Sequence, residues 1–257
     1  MTTDLSGATR TVERNNRRTR WFHAGVYLTV LVLLFTGWWR TLGQEGDASP
    51  LAELFGTSDT DLHNVIGWVF VGLAALGLLL GWRAAWTLAA DSVRFRRLEL
   101  RWFARWPAAL MTGRFGRHEG HFDPGQRIAN VVMILLLAAL IVSGVGLYVV
   151  SGGPAFVWFN RIHRWSTYLF TPVIVGHVVV AGGLLPGYRG VWRAMHLGGR
   201  LRATVAERVW PAWSERRQGA SASGNGAPEN GAPGDGVPGN GAPAAGAGAP
   251  PHPRTGG

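Results

Sequence analysis

Eight histidines punctuate the chain: His23, His63, His118, His121, His163, His177, His196 and His252. Four of them, His23, His63, His163 and His177, fall inside long apolar runs. Ionisable side chains are costly there and commonly mark function. A lone histidine in such a run can also be a structural hydrogen-bonding group. Four at matching depths are harder to explain that way. The rest of the reactive inventory is thin. Cysteine is absent, which excludes disulfides, thiol catalysis, Cys-type zinc sites and an iron–sulfur cluster ligated by this chain. No carboxylate stands inside the four runs. Imidazole is the chemistry to be placed.

The elements that must place it are the runs themselves: 21–39, 62–82, 128–150 and 162–185. A bilayer core of about 30 Å needs about 20 helical residues. Backbone groups in lipid must be satisfied internally, so these runs read as helices. The first is too long for a cleaved signal segment and lacks a small-residue cleavage site. The fold class expected is an all-α membrane protein, a bundle of four transmembrane helices over 21–185. Only 16% of the residues are charged and 13 are Trp, which suits a membrane interface. The net charge is +10, and every basic residue is Arg. Residues 1–20, 83–127 and 186 onward hold 22 of the 25 Arg. The positive-inside rule therefore predicts that these segments and both termini are cytoplasmic. Basic stretches beside spans fit topology or anionic lipid better than nucleic acid. A basic segment is expected over 186–217. Residues 218–257 are Gly, Ala, Pro and Asn with few bulky apolar side chains, and read as a disordered tail.

Depth pairs the histidines. His63 and His163 each lie one residue inside the outer end of their run. His23 and His177 lie about 24 and 22 Å from the outer ends of theirs. Two levels follow, His63 with His163 outside and His23 with His177 inside. The two histidines of the fourth run are 14 residues apart, which puts them on one helix face about 21 Å apart. The third run has none and would form a wall. Zinc in this setting wants a third or fourth ligand. Haem iron takes two axial ligands and buries an apolar macrocycle between helices. Two stacked bis-histidine haems b fit. Gly67, Gly37, Gly144 and Gly146 would let a flat ring or a neighbouring helix approach. Arg161 and Arg164 flank His163 and could pair with haem propionates. Pro172 is expected to kink the fourth helix. His118-Glu119-Gly120-His121 lacks the spacing of a zinc protease motif and reads as a loop. His196 and His252 receive no role.

Several segments then resemble the gamma subunit of membrane-bound formate dehydrogenases, a four-helix di-haem cytochrome b. They are Arg20-Trp21-Phe22-His23 with Thr36-Gly37, His63 with Gly67, Gly120-His121-Phe122-Asp123-Pro124-Gly125-Gln126-Arg127, Ser143-Gly144, the 14-residue spacing of His163 and His177, Tyr188 to Met195, and Trp210-Pro211-Ala212-Trp213. The resemblance covers about 14–217. It implies an outer haem on His63 and His163, an inner haem on His23 and His177, and quinone reduction at the cytoplasmic side near Asp123, Gly125 and Gln126. The family's Asn-Ala-Gly-Gln reads Asp-Pro-Gly-Gln here, so an acid able to relay a proton replaces an amide. In the structural alternative, Asp123-Pro124-Gly125 is a turn before a helix.

The expectation is an electron-transfer subunit of the cell membrane. An iron–sulfur partner would feed it, and a molybdopterin partner would oxidise formate. Hydrogenases and thiosulfate- or polysulfide-type reductases share the four-helix cytochrome design. A histidine-lined transporter and a bare anchor without haem are the other classes; a transporter should carry carboxylates in its spans.

Overall fold

The computed structural model describes residues 10–42, 47–94 and 99–222. His252, the first nine residues and the tail from 223 onward lie outside the described residues.

The helices start where their first residues dictate. Asn16 accepts from the Thr19 amide at 2.9 Å and opens α1 (Arg17–Thr41). Ser49 caps the short α2 (Pro50–Phe55), and Ser58 caps α3 (Asp59–Val93), whose first turn carries Asp59 and Asp61. Both acids favour the positive end of the helix dipole. Ser49 also binds the Asp59 carboxylate, amide to Oδ2 at 2.7 Å, fixing α2 to the mouth of α3. Next come α4 (Glu99–Thr112), α5 (Pro124–Val149) capped by Asp123, and α6 (Gly153–Ala181) with proline in its first turn.

Among the described residues three helices, α1, α3 and α5, are each long and apolar enough to cross a membrane, and α6 passes the same test only when counted with Pro186–His196 across a 59° bend. The chain is an all-α membrane bundle. The helices outrun the apolar runs. α6 begins nine residues before 162, because Pro154 presets helical φ and residues 153–161, although interrupted by Asn160 and Arg161, contain no breaker after it. α3 continues to Val93 through Trp82 and Arg83, with its one break at Gly81. α6 passes Pro172 as one continuous helix, so the expected kink is not a break; spanning helices tolerate proline.

Around the bundle α1 packs on α3, α3 on α5 and α5 on α6. The ring closes where Trp38 of α1 donates to Thr171 Oγ1 of α6 at 2.9 Å and lies 5.5 Å from the Tyr168 ring. Two close approaches need glycine. A Cβ on Gly77 would strike the Phe22 ring, and one on Gly146 the Phe159 ring. At mid-depth the buried layer is Val30, Phe70 and Phe170, walled by Met133, Leu136, Leu137, Leu140 and Ile141 of α5. Each of the three stands seven residues from a histidine of its own helix, Val30 from His23, Phe70 from His63, Phe170 from both His163 and His177. Seven residues are about two turns, so the apolar layer and the histidines share a face on each helix.

Beyond one end of the bundle, distant parts of the chain form a cap. Strand β1 (Thr11–Glu13) pairs antiparallel with β2 (Arg200–Arg202), Val12 opposite Leu201. A 3-10 turn (Pro186–Tyr188), α7 (Arg193–His196), α8 (Ala203–Val209) and α9 (Pro211–Ala222) complete it. Its core gathers Tyr188, Leu201, Val209, Trp210 and Trp213, with Leu110 and Phe115 arriving from α4 and the loop after it.

Candidate functional site

The four intramembrane histidines meet as two pairs. The rings of His23 on α1 and His177 on α6 have centroids 6.3 Å apart, and those of His63 on α3 and His163 on α6 are 6.2 Å apart. The ring planes cross at 45° in the first pair and 78° in the second. His163 sits ten residues into α6 rather than one, yet the predicted partner is the one it meets. α5 contributes no imidazole and supplies a wall.

A metal shared by two opposed imidazoles lies about 2.0 Å from one nitrogen of each, and each nitrogen lies about 1.1 Å from its ring centroid, so the centroids must stand about 6 Å apart. Both pairs meet that requirement. Among the described residues no group of three or more His, Asp or Glu is placed to hold a metal ion. The donor set at each level is therefore two neutral nitrogens. That suits a macrocycle already supplying the other ligands and does not suit a bare ion. A Cβ on Gly67, one turn below His63, would meet nothing within 4 Å, leaving room beside the pair for a flat apolar ring.

Hydroxyls complete the pair near α2. Thr36 gives its only hydrogen to the Val32 carbonyl at 2.9 Å, so its oxygen accepts from His63 Nδ1 at 2.8 Å. Ser143 gives its hydrogen to the Ala139 carbonyl at 2.6 Å and accepts from His163 Nδ1 at 3.0 Å. Protonation at Nδ1 leaves Nε2 as the unprotonated nitrogen of each ring. The adjoining glycines lie against the same rings. A Cβ on Gly37 would stand 3.5 Å from His63 Cε1, and one on Gly144 3.4 Å from His163 Cε1. The pair near the cap is built otherwise. His23 Nδ1 is buried without a hydrogen-bond partner among the described residues, and its ring neighbour is Tyr27 at 5.7 Å, itself 5.9 Å from the ring of His196.

Thr36, Ser143, Tyr27 and His196 were not singled out from sequence for these contacts. The available signal was a small hydroxyl residue followed by glycine, once in the first run and once in the third. Arg161 and Arg164 are exposed; Arg161 lies over the Trp158 ring at 5.5 Å, and Arg164 donates to Tyr168 Oη at 3.0 Å.

Asp123, Gly125 and Gln126 occupy the first turn of α5, at the cap. Asp123 is 4% exposed, and its Oδ1 accepts from the Gln126 amide at 2.8 Å. A Cβ on Gly125 would press on the Trp102 ring at 3.1 Å. Asp123 is thus a helix cap, as the structural alternative anticipated. Burial pushes its carboxyl above the usual carboxylate range, against the pull of the Gln126 amide, His118 and Arg14. Arg14 lies between the Trp210 and Trp213 rings, 4.4 Å from each centroid, and donates to the His121 carbonyl at 2.6 Å. Burial lowers its guanidinium to about 9, so it stays charged at neutral pH. Burial first, and Arg14 second, lower His121 to about 2. His118 Nε2 donates to the Val209 carbonyl at 2.9 Å. The His118–His121 loop therefore joins the cap, as a loop reading requires.

A family model described as prokaryotic cytochrome b561 matches residues 14–198. No curated protein matches the chain.

Proposed function

The chain belongs to the prokaryotic cytochrome b561 family and is accordingly a multi-pass membrane protein that binds haem b and transfers electrons; on that premise we propose that it holds two haems and is the cytochrome subunit of a respiratory formate dehydrogenase. The observation that carries the two-haem reading is the equal ring spacing of the two stacked pairs, 6.3 and 6.2 Å. His63 and His163 hold one iron, and His23 and His177 the other. Bound haems supply one-electron steps between the two faces of the membrane. The protein's own residues hold each iron by two neutral nitrogens. They exclude water from the space between levels with Val30, Phe70 and Phe170. They also keep that space free of fixed charge.

The cap lies in the cytoplasm, since residues 1–20, 83–127 and 186 onward carry 22 of the 25 Arg of the sequence, the mark of the cytoplasmic side. The donor is an iron–sulfur subunit at the opposite face, because this chain has no cysteine to hold a cluster. A molybdopterin subunit beyond it oxidises formate. The acceptor is a membrane quinone at the first turn of α5, contacted by Asp123, Gly125 and Gln126. Burial there raises the Asp123 carboxyl, the direction a proton carrier needs. Arg161 and Arg164 flank His163 and suit haem propionates.

Haem content tests the core of this reading. The purified protein should contain two b haems per chain, and His177→Ala should contain one. Retention of both haems in that variant would refute the pairing. Membranes supplied with formate should then reduce the chain's haem and, through it, quinone. Reduction by hydrogen instead would assign the subunit to a hydrogenase. Asp123→Asn preserves the helix cap and should alter the pH profile of quinone reduction while leaving haem reduction intact.

A further inference from the structure

The two histidine levels differ in what holds the rings. At the level near α2, each imidazole has a hydroxyl on a neighbouring helix, Thr36 for His63 and Ser143 for His163, at 2.8 and 3.0 Å. Both hydroxyls are committed as donors to carbonyls one turn back, Val32 and Ala139. They can only accept from Nδ1–H. At the level near the cap, no hydroxyl or carbonyl among the described residues takes a ring hydrogen of His23 or His177.

We infer that Thr36 and Ser143 are positioning residues which make the iron site near α2 the more electron-rich of the two, and so set the direction of electron flow toward the cap. The inference rests on the reading of the four histidines as iron ligands. An acceptor at Nδ1–H draws that hydrogen away and strengthens electron donation by the other nitrogen, and such outer partners also fix the tautomer and rotation of the ring. Stronger donation stabilises the oxidised metal and lowers its potential. Two such acceptors act at one level and none at the other. An electron entering at the end remote from the cap therefore runs downhill toward it. The two helices use the same local device. On α1 and on α5, a hydroxyl residue and the following glycine face one imidazole of the next long helix in the chain, the hydroxyl at Nδ1 and the glycine beside Cε1. The device is unequal in one respect. The Thr36 contact is 2.8 Å and the Ser143 contact 3.0 Å, so loss of the Ser143 hydroxyl removes the longer, weaker acceptor.

The test uses the full-length protein in detergent. The variants are Thr36→Val, Thr36→Ser, Ser143→Ala and the double Thr36→Val/Ser143→Ala. Three quantities are measured: haem per chain, the midpoint potentials of the two b-type components, and the paramagnetic resonance spectrum of the oxidised protein, which reports the angle between axial ring planes. His177→Ala identifies which component belongs to the level near α2. In Thr36→Val that component alone should move to higher potential. The expected change is about tenfold in its oxidised-to-reduced ratio at fixed potential, equivalent to about 59 mV for one electron. Ser143→Ala should move it less, the double variant most, and Thr36→Ser should stay near the parent. The resonance signal of the same component should shift as its ring is released, and the other signal should not. Two retained haems with an unmoved component in Thr36→Val would overturn the inference and leave the ligand reading standing. Equal movement of both components would overturn it too. Loss of the haem in Thr36→Val with recovery in Thr36→Ser supports a hydroxyl that seats the ring; loss in both points to packing and overturns the inference. A parent without two haems would instead fail the ligand reading itself.

Discussion

The bundle and the cap bury polar groups by different rules. In the bundle, the polar atoms at depth are few and uncharged: four imidazoles and the hydroxyls and ring N–H groups beside them. In the cap, full charges are buried. Arg127 and Glu99 meet at 2.6 Å with side chains 6% and 7% exposed, and Arg127 also donates to the Arg94 carbonyl at 2.6 Å and to the Glu119 carbonyl. That one guanidinium ties the end of α3, the start of α4, the loop before α5 and α5 itself. The difference follows from the solvent. Lipid gives helices no hydrophobic reason to associate, so the bundle relies on shape, glycine contacts and paired rings. The cap, next to water, gains from hiding its tryptophans, and that gain offsets the cost of the charges they enclose.

If that contrast is right, the largest effect should come from halving the buried ion pair. Arg127→Ala removes the cation 2.6 Å from the buried Glu99 carboxylate, together with the guanidinium's bonds to the Arg94 and Glu119 carbonyls, and should cost about 3 kcal/mol, measured as thermal unfolding by tryptophan fluorescence, with the haem region melting later than the cap. The double variant Arg127→Met/Glu99→Leu should recover most of the loss. A single variant within about 0.5 kcal/mol of the parent, the range of an ordinary surface change, would mean the pair is not the tie described. Phe170→Ala comes next. It opens a cavity in the mid-depth layer, and in a water-soluble core it would cost about 3–5 kcal/mol. In lipid the transfer part is missing, so a loss nearer 2 kcal/mol is expected from heat-induced loss of helix. A loss as large as that of Arg127→Ala would erase the distinction between the two regions. Arg14→Lys is smaller, about 1 kcal/mol. An ammonium keeps the charge but gives up the planar stack between Trp210 and Trp213 and the forked contact with His121.

Legibility in the sequence divides along the same line. The bundle repeats: apolar runs of membrane length, histidines 14 residues apart, and one level matched to another by counting. Pairing survived even where the helix ends moved, because both levels shift with the helix that carries them. The mid-depth layer obeyed the same seven-residue count and could have been read from it. The cap has no period to read. β1 finds β2 across about 190 residues, and Arg14 finds Trp210 and Trp213 only once that ribbon has formed. The segment His118–His121 was recognisable as a loop, but nothing local said that its imidazoles close the cap. The hydroxyls of Thr36 and Ser143 escaped for another reason. A lone Thr or Ser in an apolar helix usually bonds back to its own carbonyls, and both do; the acceptor role appears only when a second helix brings an imidazole.

The smallest effect is a slope rather than a loss. His121 is held neutral in the fold down to about 2, against 6.5 in the free side chain, by burial and then by Arg14, Arg217 and Arg216. The unfolded chain takes up that proton first, so this contribution is whole above pH 6.5 and drains as the pH falls below it. Asp123 works in the other sense. Its carboxyl is raised in the fold, so its burial is least costly when protonated, and its contribution weakens as the pH rises above 3.8. Stability of the cap between pH 7 and 5 should therefore fall on acidification in the parent, read by hydrogen exchange across 113–123 and 209–217. His121→Asn should abolish or reverse that slope in the cap, where only the Asp123 contribution then remains, while the pH dependence of exchange within the bundle stays as it is in the parent. An equal change of slope in the bundle on that substitution would show that the two regions unfold together, and the contrast between them would then describe composition without describing stability.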